Sequence, residues 1–333
     1  MKAFDNDPRQ SELIQWICDH LGEPLAVEPA SSDASFRRYF RVIFEDRSLI
    51  AMDAPPLNEN CRPFVEVDQL LASGGINVPE ILLADIERGY LLLEDLGEQI
   101  WLDVLSPDNA DEMFGKAIAT LIALQQIQPP AEFPVYDQAL LRRELSLFPD
   151  WYIRRHLQLE PDAQLLATLA AVDDQLVANA LAQPTVLVHR DYMPRNLMVS
   201  QPNPGVIDFQ DAVLGPICYD VVSLFRDAFL SWPEARVRSW LELYWRQAKA
   251  AGLSVPEDFV TFMRWADLMG AQRHLKVIGI FARICHRDGK PRYVGDTPRF
   301  FEYLRIVSRR YPDFVALRSL LEQLDEWQLD VLS

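Results

Sequence analysis

The segment His189-Arg190-Asp191-Tyr192-Met193-Pro194-Arg195-Asn196 follows an apolar run, Val186–Val188, and is followed by a second short run, Leu197–Val199. Turn-forming residues, Asn203-Pro204-Gly205, then lead into Val206-Ile207-Asp208-Phe209. Apolar runs that are bounded by turn residues are typical of short strands. The stretch therefore predicts a strand that ends in a polar loop, followed by a short hairpin.

The loop and the hairpin carry three polar side chains at a spacing that suits phosphoryl transfer. This chemistry needs an acceptor hydroxyl aimed in line and metal ions that neutralise the phosphate oxygens. The carboxylate of Asp191 can accept the hydroxyl proton, and the amide of Asn196, five residues later, can bind magnesium through its oxygen. Asp208, which the hairpin brings back, can bind the same metal. We therefore predict Asp191 as the catalytic base, with Asn196 and Asp208 as Mg²⁺ ligands.

The first hundred residues combine helical and strand patterns. Apolar residues spaced three and four apart indicate helices at Ser11–Leu21 and Arg62–Ala72. Apolar runs between turn residues predict four strands, at Phe36–Phe44, Arg47–Ala54, Ile81–Ile86 and Tyr90–Glu94. This region therefore predicts a small sheet with two helices.

Helical periodicity dominates the rest of the chain, apart from the strand-rich insert at Thr185–Phe209. The predicted helices are Ala110–Gln126, Gln138–Leu157, Gln164–Leu181, Pro233–Ala251 and Asp258–Ile284. We therefore predict an α+β protein, with a small sheet-rich N-lobe in residues 1–97 and a larger helical C-lobe in residues 98–333.

The composition excludes several classes of partner. The 333 residues carry a formal net charge of −17, which opposes non-specific binding to nucleic acid or to an anionic membrane. The residues from Met1 to Gln10 lack the apolar run of a signal peptide, and no stretch is long enough to span a bilayer. The four cysteines show no metal-ligand or redox spacing. We expect a soluble cytoplasmic protein.

The segment His189–Asn196, together with Ile207-Asp208-Phe209, resembles the catalytic loop and metal aspartate of the aminoglycoside-phosphotransferase and choline-kinase family, which is related to the protein kinases. The resemblance implies a protein-kinase-like fold of two lobes with the active site between them, and ATP as phosphate donor. Leu91–Gly97 looks like the family's hinge, whose backbone would bind adenine; its residues Glu94, Asp95 and Leu96 are thus expected at the nucleotide.

Two further residues are expected to support the catalytic loop. Asp220, with Gly215 before it, looks like the buried aspartate that braces this loop in the family, and a carboxylate there would cap backbone amides. His189 stands at the start of the loop, where a histidine is more often a packing or hydrogen-bonding residue than a proton carrier.

The nucleotide-binding region departs from the family pattern. No Gly-x-Gly-x-x-Gly occurs, and the corresponding segment offers Ser31, Ser32, Ser35, Phe36 and Arg37 as candidate nucleotide-binding residues. No lysine occurs between Lys2 and Lys116, and Met52 or a neighbour stands where the family has its lysine.

Arginines are the alternative cations for phosphate. Alternation along a strand would place Arg37 and Arg41 on one face and Arg38 on the other.

The sequence also resembles one branch of the family in particular. The segments that carry this resemblance are Ser31–Arg41, Met52–Pro56 and Phe281–Lys290. This branch comprises the bacterial kinases that phosphorylate the anomeric hydroxyl of N-acetylmuramate and N-acetylglucosamine during peptidoglycan recycling. The resemblance implies ATP and a small amino sugar as partners. Two alternatives stay open: a kinase for another small alcohol, of the aminoglycoside or choline type, and a non-catalytic nucleotide-binding module.

Three residues are candidates for binding the substrate. Asp211 can accept a sugar hydroxyl, or it can cap a turn. Arg273 and Lys276 lie three residues apart on a predicted helix and can share a face. Such a pair can meet a lactyl carboxylate, although a solvated charged face is the commoner arrangement.

Overall fold

In the computed structural model, which describes residues 7–31 and 36–332, five strands form one antiparallel sheet. The order across the sheet is β1-β2-β3-β5-β4. The strands are β1 (Ala26–Ser31), β2 (Arg38–Ile43), β3 (Ser48–Asp53), β4 (Ile81–Asp85) and β5 (Tyr90–Glu94). Four of these five strands lie where the sequence predicts them. The strand β1 was not predicted, because Pro29 and the lack of apolar alternation hide an edge strand.

One face of the sheet is covered by the helix α1 (Pro8–Leu21), whose Leu13, Trp16 and Ile17 pack against it. The helix begins at Asp7, because the carboxylate of this N-cap residue accepts the backbone N–H groups of Arg9 and Gln10. The side chains from the sheet are those of alternate strand residues, namely Phe40, Val42, Leu49, Ala51, Tyr90 and Leu92. The other side chains of β2, including Tyr39 and Arg41, are therefore directed to the opposite face.

The hairpin that carries Asp208 belongs to the same compact unit as the sheet. This unit contains the residues up to Val104 together with residues 195–211. Its hairpin strands are β7 (Leu197–Met198) and β8 (Gly205–Val206). Val206 N–H donates to the carbonyl of Asn77 at 2.7 Å, and Val199 N–H donates to that of Gln99 at 2.9 Å. The division at residue 97, which follows chain order, did not anticipate that this later segment belongs to the same compact unit as the sheet.

The second compact unit contains residues 105–194 and those from Ala212 onward, and most of it is helical. Besides α2 (Arg62–Ser73) and α3 (Trp101–Val104) of the first unit, the helices are α4 (Ala110–Gln126), α5 (Gln138–Leu145), α6 (Ala163–Leu181), α7 (Cys218–Phe225), α8 (Glu234–Ala250), α9 (Phe259–Asp288), α10 (Thr297–Arg310) and α11 (Val315–Leu332). The strands β6 (Thr185–Val188) and β9 (Val213–Pro216) pair antiparallel. None of the described helices is both long and apolar enough to cross a membrane.

The predicted helix Gln138–Leu157 is in fact two segments, because α5 ends at Leu145 and a π-helical segment, Phe148–His156, follows. Pro149 contributes no backbone N–H to continue the α-helical ladder. At this junction the backbone of Leu147 touches α9, where a Cβ built on Gly279 would lie 2.4 Å from the carbonyl carbon of Leu147. A glycine is therefore required for α9 to pack against the break.

Candidate active site

A cavity of about 320 Å³ opens in the sheet-containing unit. Its walls include apolar side chains of the sheet and the hairpin: Ile50, Leu93, Met198 and Ile207. Polar groups enter it from two directions. The hinge contributes residues 94–98, and the hairpin segment contributes Arg195, Asn196 and Asp208. A mostly apolar cleft with a few convergent polar groups is the usual form of a small-molecule site.

The hinge is fixed by an ion pair between Arg41 and Asp95. Arg41 Nε and Nη2 lie 2.7 and 3.1 Å from the Asp95 carboxylate oxygens, and Arg41 also donates to the Gly97 carbonyl at 2.9 Å. Ser48 Oγ donates to Asp95 at 2.7 Å. Burial alone would raise the pKa of Asp95, but the hydrogen bonds from Arg41 and Ser48 lower it below its ordinary value. The hinge residues Glu94, Asp95 and Leu96 therefore line the cavity on a braced backbone.

The predicted metal residues are in contact with each other. Asn196 Nδ2 lies 3.2 Å from Asp208 Oδ2, and Gln210 Nε2 donates to Asp208 Oδ1 at 2.9 Å. Asp208 has φ +65°, in the left-handed region that aspartate tolerates better than most residues. Phe209 follows it and packs on Phe64, with ring centroids 4.9 Å apart. The hairpin thus holds the carboxylate of Asp208 beside the amide of Asn196.

Asn196 and Asp208 suit Mg²⁺, which takes waters and phosphates as further ligands. They would not suffice for a metal that is coordinated by protein side chains alone. Among the described residues, no group of three or more His, Cys, Asp or Glu could hold a metal ion. Mg²⁺ is usually bound by one or two carboxylates, with waters and substrate phosphates completing its shell. One carboxylate with an adjacent amide, both lining a cavity, fits that pattern.

In the second unit, Asp220 braces the backbone of the predicted catalytic loop. Its carboxylate accepts His189 N–H at 2.6 Å and Arg190 N–H at 3.0 Å. Asp220 is fully buried, and burial raises its pKa to about 6. Arg190 has φ +75°, an unfavourable conformation for arginine that these contacts help to hold. The next residue, Asp191, therefore starts from a fixed backbone with its side chain 41% exposed.

The side chain of Arg190 joins a buried cluster around Glu144. Glu144 Oε1 lies 2.5 Å from Arg190 Nη2 and 2.9 Å from Lys276 Nζ, and Glu144 also accepts the hydroxyl of Tyr136. Lys276 donates to Tyr219 Oη at 2.9 Å. Burial alone would raise the pKa of Glu144, but Lys276 and Arg190 lower it. We refer to Glu144, Arg190 and Lys276 as the Glu144 cluster.

Glu144 was not identified from the sequence as a functional residue. The sequence does contain an indication that Glu144 is buried. Glu144 lies three residues after Leu141 and next to Leu145, on the apolar face of its helix. A charged residue at such a position needs a buried partner, but its partners are distant in the sequence.

The three candidate substrate residues lie in different surroundings. Arg273 and Lys276 are only 3% and 8% exposed, so the expectation of a solvated charged face is wrong. Arg273 Nε donates to Ser223 Oγ at 2.5 Å, and its Nη2 lies 3.9 Å from Asp191 Oδ1. Asp211 is exposed and is not among the described residues that line the cavity. A role in substrate binding stays a prediction for all three.

The predicted nucleotide loop is only partly described. Ser32 and Ser35 lie outside the described residues, and Ser31 is the last residue of β1. Phe36 is 64% exposed, and its N–H donates to Glu59 Oε1 at 3.3 Å. Arg37 Nε lies 3.8 Å from Glu59 Oε2. Neither Phe36 nor Arg37 is among the described residues that line the cavity, so their nucleotide contacts also stay a prediction.

The comparisons with known proteins all indicate the same family. A model of the phosphotransferase enzyme family matches residues 26–259. The N-acetylmuramate/N-acetylglucosamine kinase of Pseudomonas aeruginosa is 59% identical over 334 residues, which cover 97% of this chain and 99% of that protein. The kinase of the same name from Neisseria meningitidis is 44% identical over 322 residues, covering 95% and 96% of the two chains.

Solved structures show the same fold at low sequence identity. The choline kinase LicA from Streptococcus pneumoniae matches with a TM-score of 0.61 and 16% identity, covering 90% of this chain and 99% of that one. The ADP-bound aminoglycoside phosphotransferase APH(2'')-Ib matches with a TM-score of 0.57 and 16% identity, covering 88% and 97%.

Proposed function

Because the chain belongs to the phosphotransferase enzyme family, and is therefore an enzyme of that class, we propose that it transfers a phosphoryl group from ATP to the anomeric hydroxyl of N-acetylmuramate and N-acetylglucosamine. The observation that carries the proposal is the cavity that joins the braced hinge to Asn196 and Asp208. The sugar is supported by the names of relatives that are 59% and 44% identical over nearly the whole chain.

The nucleotide occupies this cavity in the proposal. Its adenine bonds to the hinge backbone at Glu94–Leu96, and its phosphates extend toward Asn196 and Asp208. Ser31, Ser32 and Ser35 are the proposed phosphate contacts from the serine-rich segment. Asn196 and Asp208 would hold Mg²⁺, which neutralises charge on the phosphate oxygens. The neighbouring Gln210 amide keeps the Asp208 carboxylate in place.

Asp191 is the proposed catalytic base. The anomeric oxygen forms a bond to the γ-phosphorus while the bond from that phosphorus to the β–γ bridging oxygen breaks, which releases ADP. The hydroxyl proton passes to the Asp191 carboxylate. The ring oxygen makes the anomeric hydroxyl more acidic than the other sugar hydroxyls, so alignment beside Asp191 supplies most of the activation. Asp220 and the Glu144 cluster hold the loop on which Asp191 stands.

The proposed sugar contacts are Asp211, Arg273 and Lys276. Of these, Arg273 has the strongest support, since its guanidinium lies 3.9 Å from the Asp191 carboxylate and would reach a substrate oxygen held there. Lys276 is already bonded to Glu144 and Tyr219, so its effect would be exerted mainly through that cluster.

The proposal retains the division from the sequence, with residues 1–97 as the nucleotide-binding lobe and residues 98–333 carrying the catalytic loop and the sugar pocket. It places the reaction in the cytoplasm, where ATP is supplied, as a step of peptidoglycan recycling.

The test is a panel of acceptors incubated with ATP and Mg²⁺: N-acetylmuramate, N-acetylglucosamine, kanamycin, choline and the methyl glycoside of N-acetylglucosamine. We expect the two free sugars to be far better substrates than kanamycin or choline. Phosphorus–proton coupling in the NMR spectrum should place the phosphate on the anomeric carbon. The methyl glycoside should be inert, because its anomeric oxygen is blocked. Phosphorylation of that glycoside at a comparable rate would mean that another hydroxyl is the acceptor.

A further inference from the structure

The helix α7 carries a second buried polar residue one turn after Asp220. Ser223 is fully buried and lies three residues after Asp220, a spacing that places two residues on the same side of a helix. The hydroxyl of Ser223 donates to the carbonyl of Tyr219 at 3.0 Å. Because the only proton of the hydroxyl is used in this bond, its oxygen acts as an acceptor toward other groups. The helix thus presents a buried acceptor of fixed direction.

The group that uses this acceptor is Arg273 of α9. Its Nε donates to Ser223 Oγ at 2.5 Å, and its Cζ lies 6.0 Å from the centroid of the Tyr219 ring. Arg273 is 3% exposed. The guanidinium is a rigid planar group, so a hydrogen bond at Nε also determines where its outer N–H groups point. Ser223 therefore sets the orientation of the Arg273 guanidinium.

The outer part of this guanidinium lies beside the proposed catalytic base. Nη2 of Arg273 is 3.9 Å from Asp191 Oδ1 and 4.0 Å from the sulfur of Met193, two residues farther along the loop. A cation at this distance attracts the carboxylate and restricts the rotation of its side chain. Asp220 holds the backbone that leads to Asp191, whereas Arg273 acts on the Asp191 side chain itself.

A purely structural role for Arg273 would make a different prediction. Asp227, which follows α7, is fully buried, and burial raises its pKa to about 6 against the opposing charge of Arg273. If Arg273 served only to compensate Asp227, the loss of the Ser223 hydroxyl would change the stability of the fold but not the rate of the proposed reaction.

We propose that Ser223 is a positioning residue for the phosphoryl transfer: by holding Arg273, it keeps the guanidinium beside Asp191 and keeps this carboxylate aimed at the acceptor hydroxyl. The inference rests on the proposed function, in which Asp191 is the base of a sugar kinase. The helix α7 then fixes the base in two ways, through the loop backbone by Asp220 and through the side chain by Ser223 and Arg273.

The test is steady-state kinetics of Ser223→Ala with N-acetylglucosamine, ATP and Mg²⁺. Without the hydroxyl, the guanidinium of Arg273 can turn away from Asp191. Because small displacements of a reacting group are costly, kcat should fall roughly 10-fold, whereas KM for ATP should stay within about twofold of the parent value. Ser223→Cys keeps a side chain of similar size but offers sulfur, a weak acceptor, so it should show the same fall in kcat. It also provides a reading if Ser223→Ala does not fold.

A double-mutant cycle shows whether Ser223 acts through Arg273. Arg273→Met should itself lower kcat at least as far as Ser223→Ala does. In the Arg273→Met background the guanidinium is absent, so adding Ser223→Ala should change kcat by less than about twofold. The matched control is Ser308→Ala, since Ser308 is also buried on a helix, α10, and its hydroxyl donates to the carbonyl of Arg305 at 2.9 Å. This control should keep the kcat of the parent.

The outcomes are distinct. If kcat of Ser223→Ala, or of Ser223→Cys where that is the folded variant, stays within about twofold of the parent, Ser223 has a structural role only. An equal fall in kcat with and without Arg273 would mean that Ser223 does not act through the guanidinium. A comparable fall in Ser308→Ala would mean that the loss of any buried hydroxyl has this effect. Each of these results overturns the inference and leaves the proposed sugar kinase intact. If the parent protein phosphorylates neither free sugar, the proposed function fails together with the inference.

Discussion

The Glu144 cluster provides a sharp test of how the catalytic loop is held, through the substitution Glu144→Gln. Glutamine keeps the shape of the side chain and removes its charge. Arg190 and Lys276 then lose the carboxylate that lies 2.5 and 2.9 Å from them. We expect a large loss of stability from a change of a few atoms.

The magnitude follows from the burial of the three groups. The side chains of Glu144, Lys276 and Arg190 are 7%, 10% and 19% exposed, so water can replace the lost carboxylate only in part. Removing one partner of a buried ion pair typically costs about 3–5 kcal/mol, because an uncompensated charge stays in the interior. Arg190 is the more exposed of the two cations and can turn toward water. We therefore expect a loss of about 3 kcal/mol, most of it caused by Lys276.

A second substitution tests this explanation. In the double variant Glu144→Gln/Lys276→Met the buried ammonium is absent, and methionine fills a similar volume. The double variant should thus recover a large part of the stability lost in the single variant, which is a non-additive result. A matched control is Glu112→Gln, since Glu112 lies 2.7 Å from Lys116 in an exposed i,i+4 pair. Its unfolding midpoint should not change measurably.

The assay is urea unfolding, followed by tryptophan fluorescence and by far-UV circular dichroism. Two probes are needed because a chain with two compact units need not unfold in one step. Equal slopes with shifted midpoints would indicate a change in stability alone. The reasoning is refuted if Glu144→Gln unfolds at the parent midpoint, as Glu112→Gln does, or if the double variant is no more stable than the single one.

The pH dependence gives an independent check on the same cluster. The folded-state pKa of Glu144 lies below its ordinary value of 4.5, so the folded protein binds fewer protons at this site than the unfolded chain. The stabilising contribution is therefore fully present above pH 4.5 and is lost as the pH falls through the lowered pKa. The stability difference between the parent and Glu144→Gln should narrow as the solution is acidified below pH 4.5. A difference that widens there would contradict the assigned direction.

The remaining predictions concern the catalytic groups. Asp191→Asn should leave folding and nucleotide binding intact and reduce turnover by about 10²- to 10⁴-fold, the usual worth of a general base; turnover within about twofold of the parent would exclude this role. Asp208→Ala should abolish the effect of Mg²⁺ on binding of the non-hydrolysable ATP analogue, as measured by calorimetry, and an unchanged effect would place the metal elsewhere. Asp220→Asn should lower kcat by up to about 10²-fold with little change in KM, because an amide NH2 replaces one of the two oxygens that accept from the loop carrying Asp191, and small misplacements are costly; a change confined to KM would argue against this bracing role.

Local pattern was enough to predict most of the fold. Helices such as α4, α6 and α8 lie within a residue or two of their predicted bounds, because the spacing of apolar residues in the sequence shows an amphipathic helix directly. The helix α7 shows the limit of this approach. It has only eight residues, which is too short to establish a helical period, and all eight are buried, so no solvated face marks it as a helix. Such helices are defined by what surrounds them, as is the edge strand β1.

The candidate site was recognisable in the sequence where its residues are close together in the chain. Asp191, Asn196 and Asp208 fall within one loop and one hairpin, and the short distance between Asn196 and Asp208 agrees with their predicted common ligand. The family and the protein-kinase-like fold inferred from this stretch are confirmed by the family match and the structural neighbours. The groups that hold the site come from much farther away. Arg41 and Asp95 are separated by 54 positions, and Arg190 and Glu144 by 46.

The arginines show why such distances matter for chemistry as well as for packing. Strand alternation correctly separated Arg41, which lines the cavity, from Arg38, which does not. It could not reveal that Asp95 already neutralises Arg41, or that Asp53 holds Arg38. A count of cations in a sequence therefore overstates the charge that is available to a ligand. Only cations that face the cavity next to the predicted metal residues can act on the transferred phosphate.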